Sequence, residues 1–448
     1  MKKSLLKRVK LNAVQILALG FFLTILIGAI LLSLPISSQS GHSTDFIDSL
    51  FTATTSVCVT GLVTVDTGTH WNYFGKTIIM ILIEVGGLGF MSFATLISIL
   101  IGKKITLKER LLMQEALNTF DIQGMVRMVR YVLVFTFSVQ ILGALLYSTQ
   151  FIPMFGLAKG IYYSIFHSIS AFCNAGIDLF GGFRSLTIYA SNTVIILTTS
   201  ALIIIGGLGF TVWAEAYNYK GFKKFSLHSK IVIIITTILI FGGMFLFLAF
   251  EFKNPNTLAP MNIKDKLLNA FFASVSPRTA GFNSVSTDAM TTAGKLLTII
   301  LMFIGGSPGS TAGGIKTVTI GVLILTLVAI IKGRDDTEIF QKRIQREAVR
   351  KSIALFMIGM ILVIVVSTIL SVTEIGATFE EIIYEVTSAF GTVGLTLGLT
   401  QKLTTIGKIV IIITMYLGRV GPLTVVLALT NKKNKIGIKY PEERILVG

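Results

Sequence analysis

Residues 384–394 read Tyr-Glu-Val-Thr-Ser-Ala-Phe-Gly-Thr-Val-Gly, and the chain carries the pattern of this stretch three more times. Each copy begins with an aromatic residue and ends with a glycine ten positions later, between two long apolar runs. The other copies are FTATTSVCVTG at 51–61, FHSISAFCNAG at 166–176 and FFASVSPRTAG at 271–281. Four glycine-ended loops on one chain can surround one axis, where a ring of backbone carbonyls can replace the water around a cation.

A second glycine element follows each copy. The word GGLGF occurs at 86–90 and again at 206–210, and glycines stand at comparable places at 305–306 and at Gly418. From loop glycine to the first glycine of this element the chain advances 25, 30, 24 and 24 residues. This agreement predicts an internal fourfold duplication. An alternative explanation for GGLGF is close helix packing through small residues.

The composition is that of an integral membrane protein. Mean hydropathy is +0.80, and only 14% of the 448 residues are charged. Apolar runs long enough to cross a bilayer of about 30 Å recur along the chain. We predict eight spans, at about 11–35, 75–101, 125–152, 190–213, 230–252, 293–331, 352–373 and 405–430. The first run is too long for the apolar part of a cleavable signal, so we expect it to be retained.

The net charge of +17 is concentrated in the segments that are predicted to lie on the inner side of the membrane. With the N-terminus inside and eight crossings, the inner segments hold 27 Lys and Arg against 10 Asp and Glu, and the outer ones 10 against 11. This asymmetry follows the positive-inside rule and predicts two cytoplasmic termini with all four glycine loops outside. No nucleic-acid-binding motif accompanies the charge, so we expect membrane lipid and not nucleic acid around this chain.

Each copy contains a short amphipathic helix, predicted at about 45–57, 160–172, 264–276 and 377–389. Such helices are too short to span, and irregular backbone at membrane depth is tolerated where it lines a water-filled cavity. The predicted fold is therefore an all-α membrane protein of four fused span–pore helix–span units around one pseudo-fourfold pore. The units are 1–101, 102–213, 214–331 and 332–430, followed by a cytoplasmic tail at 431–448.

The predicted ion-binding atoms are backbone carbonyls of four triplets, because glycine reaches positive φ without a Cβ clash and lets successive carbonyls face one axis. The triplets are Val59-Thr60-Gly61, Asn174-Ala175-Gly176, Thr279-Ala280-Gly281 and Thr392-Val393-Gly394. The last one matches the opening of the potassium-channel TVGYG loop, but none of the four has the second glycine. We therefore expect K⁺ preference with weaker exclusion of Na⁺, K⁺ being the only metal ion held.

Repeat three contains a second candidate element, a predicted gate below the filter. The apolar run 295–331 is too long for one span and is broken by five glycines and a proline, which interrupt a helix. The gate residues are Gly305, Gly306, Ser307, Pro308, Gly309, Ser310, Thr311, Ala312, Gly313, Gly314 and Lys316. A nucleotide-binding loop is the alternative, but the phosphate-binding pattern GxxxxGK[ST] is absent.

Charges inside spans are costly and usually functional. Arg419 is predicted to form a barrier below the filter or to pair with carbonyls of the 305–316 loop, and Lys316 to cap the end of that loop. Glu84 is a candidate partner of either cation, with an internally hydrogen-bonded or snorkelling acid as the alternative.

Other polar residues near the loops have simpler expected roles. The acids after the loops, Asp66, Asp178 and Asp288, either concentrate cations at the pore mouth or are solvated loop charges. Arg278 is expected to point away from the axis and bind pore-helix backbone. Cys58 and Cys173 occupy equivalent places and are expected to be small fillers and not a disulfide. The histidines show no ligand spacing, and no special role is predicted for them.

These residues resemble the Trk/Ktr/HKT superfamily of potassium transporters, and most closely its Ktr-type (KtrB) membrane subunits. The resemblance covers essentially the whole chain and rests on SVCVTGL, SAFCNAGID, SVSPRTAGFN, TSAFGTVGL and GGSPGSTAGGIKT. It places the filter glycines on Gly61, Gly176, Gly281 and Gly394, and it implies K⁺ as substrate, an intramembrane gating loop and an arginine at Arg419. It further implies a homodimer in the bacterial plasma membrane and a separate cytoplasmic KtrA-type ring that binds ATP or ADP.

The resulting hypothesis is a gated potassium-conducting subunit that binds no cofactor itself, with Na⁺ as a candidate activator. The basic inner segments and the tail are its candidate docking surfaces. The alternative within transport is a Na⁺- or H⁺-coupled symporter, although such proteins usually contain inverted repeats and these four run in one orientation. An enzyme would need a nucleophile, metal cluster or paired acids at membrane depth, and none is recognisable in the sequence.

Overall fold

The computed structural model describes residues 13–89, 125–217, 221–421, 441 and 443, and these residues are predominantly helical. The first segment contains α1 (Ala13–Ser33), α2 (Phe46–Val57), α3 (Thr67–His70) and α4 (Tyr73–Leu88). The second contains α5 (Met125–Phe155), α6 (Leu157–Cys173), α7 (Thr193–Leu208) and α8 (Phe210–Tyr217). The third contains α9 (Leu227–Glu251), α10 (Ile263–Val275), α11 (Thr292–Phe303) and α12 (Thr317–Ile331). The fourth contains α13 (Arg346–Thr373), α14 (Phe379–Gly391) and α15 (Thr405–Val420).

A hairpin of two short antiparallel strands, β1 (Glu338–Ile339) and β2 (Lys342–Arg343), precedes α13. The structure describes only part of several predicted regions. Residues 90–101 of the second predicted span, 422–430 of the eighth and the basic segment 102–124 lie outside the described residues. So does the tail at 431–448, apart from Pro441 and Glu443.

The four short helices α2, α6, α10 and α14 begin and end within three residues of their predicted bounds. Three of them start at capping residues whose side chains accept a backbone N–H of the first turn, and each such cap stabilises a helix by about 1 kcal/mol. The caps are Asp45, Asn262 and Thr378. Thr378 and Glu381 form a full capping box.

Four described helices are long and apolar enough to cross a membrane: Gln15–Ser33, Val126–Phe155, Leu227–Glu251 and Arg346–Thr373. The helices α4, α7, α11 and α15, here called the second helices, are shorter. The predicted span at 190–213 is not one straight helix, because α7 and α8 meet at an angle of 96°. The predicted run 293–331 is interrupted, as expected, by an irregular stretch between α11 and α12.

The second helices join the segments into a closed ring. Each packs against the short helix of the next segment: α4 on α6, α7 on α10, α11 on α14, and α15 back on α2. Ion pairs cross two of these junctions, from Lys295 to Glu380 at 3.4 Å and from Lys408 to Asp48 at 2.6 Å. Both pairs are partly buried near the surface, where an ion pair typically contributes no more than about 1 kcal/mol. The apolar packing therefore dominates the closure.

The GGLGF element has two separate structural roles. A Cβ on Gly86, Gly206 or Gly418 would overlap the carbonyl oxygen of Val57, Phe172 or Phe390 respectively, near the end of a short helix. Close packing, the alternative explanation of this word, is therefore confirmed. Three residues later the second helix ends at a glycine with positive φ, a conformation that glycine adopts at little cost. These glycines are Gly89, Gly209 and Gly421.

Candidate functional site

The four glycine-ended loops meet around one axis. A Cβ added to each loop glycine would lie 2.5 Å or less from a carbonyl oxygen of the following loop. The pairs are Gly61 with Ala175, Gly176 with Ala280, Gly281 with Val393, and Gly394 with Thr60. The fourth loop thus contacts the first, and the ring is closed at the level of the glycines.

All four triplets share one backbone conformation. The first residue and the glycine have positive φ in every loop. The first residues are Val59 (56°), Asn174 (62°), Thr279 (70°) and Thr392 (51°). Three of these are β-branched, for which the left-handed region is strained by about 1–3 kcal/mol. The same strained geometry in four different sequences indicates a backbone shape imposed by the site.

Hydroxyl groups from the short helices hold the loops in this shape, and the sequence analysis missed them. Thr55 Oγ1 accepts the N–H of Gly61 at 2.9 Å, and Ser388 Oγ accepts that of Gly394 at 3.0 Å. Ser170 and Ser276 donate instead to loop carbonyls, those of Ile177 and Phe282. The available signal was a Ser or Thr five or six residues before each loop glycine.

An open cavity of about 280 Å³ lies on one side of the glycine ring and is lined by all four loop glycines. Asp66, Asp178 and Asp288 also line it, which places the three predicted acids together. Asp66 accepts the N–H groups of Gly68 and Gly182, and so also ties the first loop to the second. Burial and the nearby Asp66 raise the pKa of Asp178 to about 6, although its bond from the Phe180 N–H opposes this.

The 305–316 loop lies against the filter segment. A Cβ on Gly313 would overlap the Thr392 hydroxyl, and one on Gly314 would lie 3.2 Å from the Gly391 Cα. Lys316 Nζ donates to the carbonyls of Ala312 at 2.6 Å and Gly313 at 3.4 Å, the capping arrangement expected for it.

Arg419, in the last turn of α15, joins three segments. Its guanidinium donates to the carbonyl of Thr311 in the loop and to the carbonyls of Gly86 and Gly87 at the end of α4. Two arrangements were predicted for Arg419, a barrier below the filter or pairing with carbonyls of the 305–316 loop. The observed hydrogen bond to Thr311 corresponds to the second. The additional link to α4 was not predicted, since nothing in the sequence brings 86–87 near the eighth span.

The same loop fills the break between α7 and α8. Where α7 ends, its last carbonyls lose their helical partners. The 305–316 loop supplies donors for these carbonyls: Thr311 N donates to Gly206 O at 3.3 Å, and Ser307 N donates to Gly207 O at 3.0 Å. In return, Gly309 O accepts the N–H of Phe210, the first residue of α8, at 2.8 Å. The loop and the bent helix are therefore one hydrogen-bonded unit.

Two predicted partners are wrong. Glu84 forms no ion pair with Arg419 or Lys316; it accepts hydrogen bonds from Gln140 at 2.8 Å and from the Cys173 thiol at 3.5 Å. It is the internally bonded acid of the alternative explanation. Arg278 binds no pore-helix backbone through its side chain, because its guanidinium donates to the Thr236 hydroxyl of α9 at 3.3 Å. Cys58 and Cys173 are free, buried thiols, as expected.

Comparison with known proteins identifies the family. The model of the TrkH family, described as cation transport protein, matches residues 9–436. The chain belongs to this family. The resemblance seen in the motifs is thereby confirmed, and the chain is a multi-pass membrane transporter and not an enzyme.

Two relatives of this TrkH-family chain align with it over nearly their whole length. It is 49% identical to the potassium/sodium uptake protein NtpJ of Enterococcus hirae, covering 100% of this chain and 99% of that protein. It is 43% identical to the Ktr system potassium uptake protein B of Bacillus subtilis, with the same coverage. The crystal structure of the potassium transporter TrkH from Vibrio parahaemolyticus superimposes with a TM-score of 0.72 at 19% identity. That match covers 95% of this chain and 86% of the other, and it shows a shared fold.

Proposed function

We propose that this protein conducts K⁺ across the bacterial plasma membrane through a filter of backbone carbonyls at its four glycine loops. The observation that carries the proposal is the closed ring, in which each loop glycine lies against a carbonyl of the next loop. A ring of carbonyls can replace the hydration shell of a potassium ion. The names of the relatives, which are potassium uptake proteins, support the same substrate.

The proposed architecture is the four-unit one, with eight spans around a pseudo-fourfold pore and both termini in the cytoplasm. Its boundaries are 1–101, 102–213, 214–331 and 332–430, followed by the tail at 431–448. The recurring element order and the ring of second helices on short helices support it. The C-terminal end of each short helix adjoins a filter triplet, where the helix dipole supplies a partial negative charge of about half a unit.

The proposed ion ligands are the carbonyls of the four triplets, 59–61, 174–176, 279–281 and 392–394. These short triplets offer fewer aligned carbonyls than TVGYG, so the filter excludes Na⁺ less strictly. The word sodium in the name of the Enterococcus relative is consistent with this, and Na⁺ is also a candidate activator.

The proposed gate is the 305–316 loop with Arg419 across it. The hydrogen bonds from Arg419, Ser307 and Thr311 support a closed arrangement, since they tie the loop to three other segments. Control comes from a cytoplasmic KtrA-type ring that binds ATP or ADP, and the membrane subunit is a homodimer. The Ktr system named in the Bacillus relative supports such an assembly.

The filter is tested by Gly281→Ser, assayed as Rb⁺ uptake with Na⁺ as competitor in liposomes. A serine Cβ would overlap the Val393 carbonyl, so we expect weaker uptake and lower K⁺/Na⁺ discrimination. The matched control is Gly242→Ser in α9, where an added Cβ would meet no described atom within 4 Å apart from its chain neighbours and the backbone of its own helix. If Gly281→Ser transports like the wild type, the four-loop filter is wrong.

The gate is tested by deleting 307–313 and measuring Rb⁺ flux without the cytoplasmic partner. Without the loop, the pore is expected to conduct Rb⁺ even when the partner is absent. A flux equal to that of the wild type would contradict the role of the loop as a gate. Measuring Na⁺ and H⁺ movement during downhill Rb⁺ flux separates a channel from the coupled symporter, because only the symporter moves its second ion in fixed proportion to Rb⁺.

A further inference from the structure

The residue after the repeated aromatic differs in each short helix. These residues are Thr52, His167, Phe272 and Glu385. All four positions are buried, on the side of the helix that faces the body of the protein. Two of them, His167 and Glu385, reach across to the chain that follows the filter triplet. Sequence analysis gave neither a role.

His167 is held between its own helix and the second post-filter loop. Its Nδ1 lies 2.7 Å from the Tyr163 carbonyl, and its Nε2 lies 3.3 Å from the N–H of Leu179. Only one arrangement satisfies both contacts: Nδ1 donates and Nε2 accepts, which is a neutral imidazole. The ring stacks on Phe180 with centroids 4.4 Å apart. Leu179 follows Gly176 by three residues, so the imidazole anchors the loop at the edge of the filter.

In the fourth segment, the carboxylate of Glu385 anchors the loop that follows the filter triplet. Its fully buried carboxylate accepts the hydroxyl of Thr396 at 2.6 Å and that of Thr400 at 2.5 Å. Thr396 follows Gly394 by two residues, and its carbonyl in turn accepts the Thr287 hydroxyl at 2.6 Å. A buried carboxylate is tolerated only when hydrogen bonds compensate its desolvation. Here that compensation comes from the post-filter loop itself.

The other two positions have no such contact. Thr52 donates to the Asp48 carbonyl one turn back in its own helix, at 2.8 Å, and Phe272 is apolar. In the glycine ring the second and fourth loops lie opposite each other, because each contacts only the first and third. The anchored loops therefore form one opposing pair, and the loops without this anchor form the other.

We propose that His167 and Glu385 are positioning residues that fix one opposing pair of filter walls and thereby set K⁺/Na⁺ discrimination. This rests on the proposed filter function. A loop released from its anchor lets its carbonyls move inward toward the smaller ion, so K⁺ loses its advantage while the pore remains open. The effect is a change in the preference between ions, distinct from a loss of transport.

The test compares His167→Ala and Glu385→Ala with Thr52→Val and Phe272→Leu at the equivalent positions. The Na⁺ concentration and the K⁺ concentration that each halve Rb⁺ uptake in liposomes are measured separately, and their ratio is the measure of K⁺/Na⁺ discrimination. The thermal unfolding of each purified variant is measured to show that it is folded. We expect each anchor variant to lower this ratio about tenfold and each control to stay within about twofold. His167→Gln, which keeps one donor and one acceptor, is expected to restore most of the ratio.

If Glu385→Ala fails to fold, Thr400→Val removes a hydrogen bond from the loop side with little change in volume and is expected to shift the ratio in the same direction. Gly281→Ser in the same assay distinguishes a failure of the proposed filter from a failure of the positioning role of His167 and Glu385. An unchanged ratio in both anchor variants beside a lowered ratio in Gly281→Ser overturns the positioning role and leaves the filter intact. An unchanged ratio in Gly281→Ser as well overturns the filter and this inference together.

Discussion

The two sides of the glycine ring differ in symmetry. On the short-helix side, the four segments are nearly equivalent: each has the same aromatic-to-glycine spacing, a positive φ at the same two loop positions and a hydroxyl anchor. At the far ends of the second helices, the described residues differ between segments. The helix α7 turns by 96° into α8, α11 runs into the 305–316 loop, and the last turn of α15 carries Arg419.

This contrast separates two physical tasks. A cage for a spherical ion needs equal contributions from all sides, which a fourfold arrangement supplies. A gate needs elements with two arrangements, and unequal segments can provide them. Under the proposed function, the regular side is the one that selects the ion, and the irregular side is the one that opens and closes.

The largest expected effect tests the equivalence of the four loops. Changing any one of Gly61, Gly176, Gly281 or Gly394 to Ala is expected to reduce Rb⁺ uptake by about 100-fold, since each Cβ would overlap the next loop's carbonyl and the conformation is strained for alanine. The measurement is initial uptake in a strain that lacks its own potassium uptake, with Gly242→Ala as control. A set of four unequal losses would show that the filter is not symmetric.

On the regular side, the short-helix bounds and the meeting of the four glycine loops could be predicted from the sequence. They follow from spacing and polarity, which are local properties, as does the position of Asp66, Asp178 and Asp288 beside the loops. The hydroxyl anchors were visible in principle, as Ser or Thr at a fixed distance from each glycine. The interrupted run at 293–331 was also recognised, because glycine and proline are strong local signals.

The irregular side depends on contacts between distant segments, which one sequence does not reveal. The bend at Gly209 could not be predicted, because it depends on hydrogen bonds to the 305–316 loop, which is distant in the sequence. For Glu84 the sequence left a cationic partner and an internally hydrogen-bonded acid as alternatives, and only its position beside Gln140 and Cys173 decides for the second. Arg278 likewise found its partner in another helix.

The next effect concerns the cation that crosses the loop. Arg419→Gln is expected to raise Rb⁺ efflux from liposomes without the cytoplasmic partner by about tenfold, since it weakens ties worth about 1.5–3 kcal/mol each and removes a positive charge from the proposed path. Lys402→Gln, which removes a positive charge at an exposed position, serves as the control. A reduced efflux would instead make the arginine a support of the open pore.

A smaller effect is expected from a matched pair of glycines that end equivalent helices. Both Gly89 and Gly209 have positive φ, but a Cβ on Gly209 would lie 2.7 Å from the Pro308 carbonyl of the loop, whereas no described atom lies within 4 Å of one on Gly89. Gly209→Ala is therefore expected to raise basal efflux by about fivefold more than Gly89→Ala. Equal efflux from the two variants would show that the gate does not depend on the α7–α8 break.

The smallest effect returns to the regular side, at its mouth. The Asp178 carboxyl, with its pKa raised to about 6, is charged above that pH and neutral below it. Because the charged form attracts cations to the cavity, the external K⁺ concentration for half-maximal uptake is expected to rise about twofold as the external pH falls from 7 to 5. Asp178→Asn is expected to show the higher value at both pH values and to remove this dependence. Asp288 also lines the cavity, so Asp288→Asn is the control: it should raise the value while retaining the pH dependence. A pH dependence that survives Asp178→Asn would assign the titration to another group.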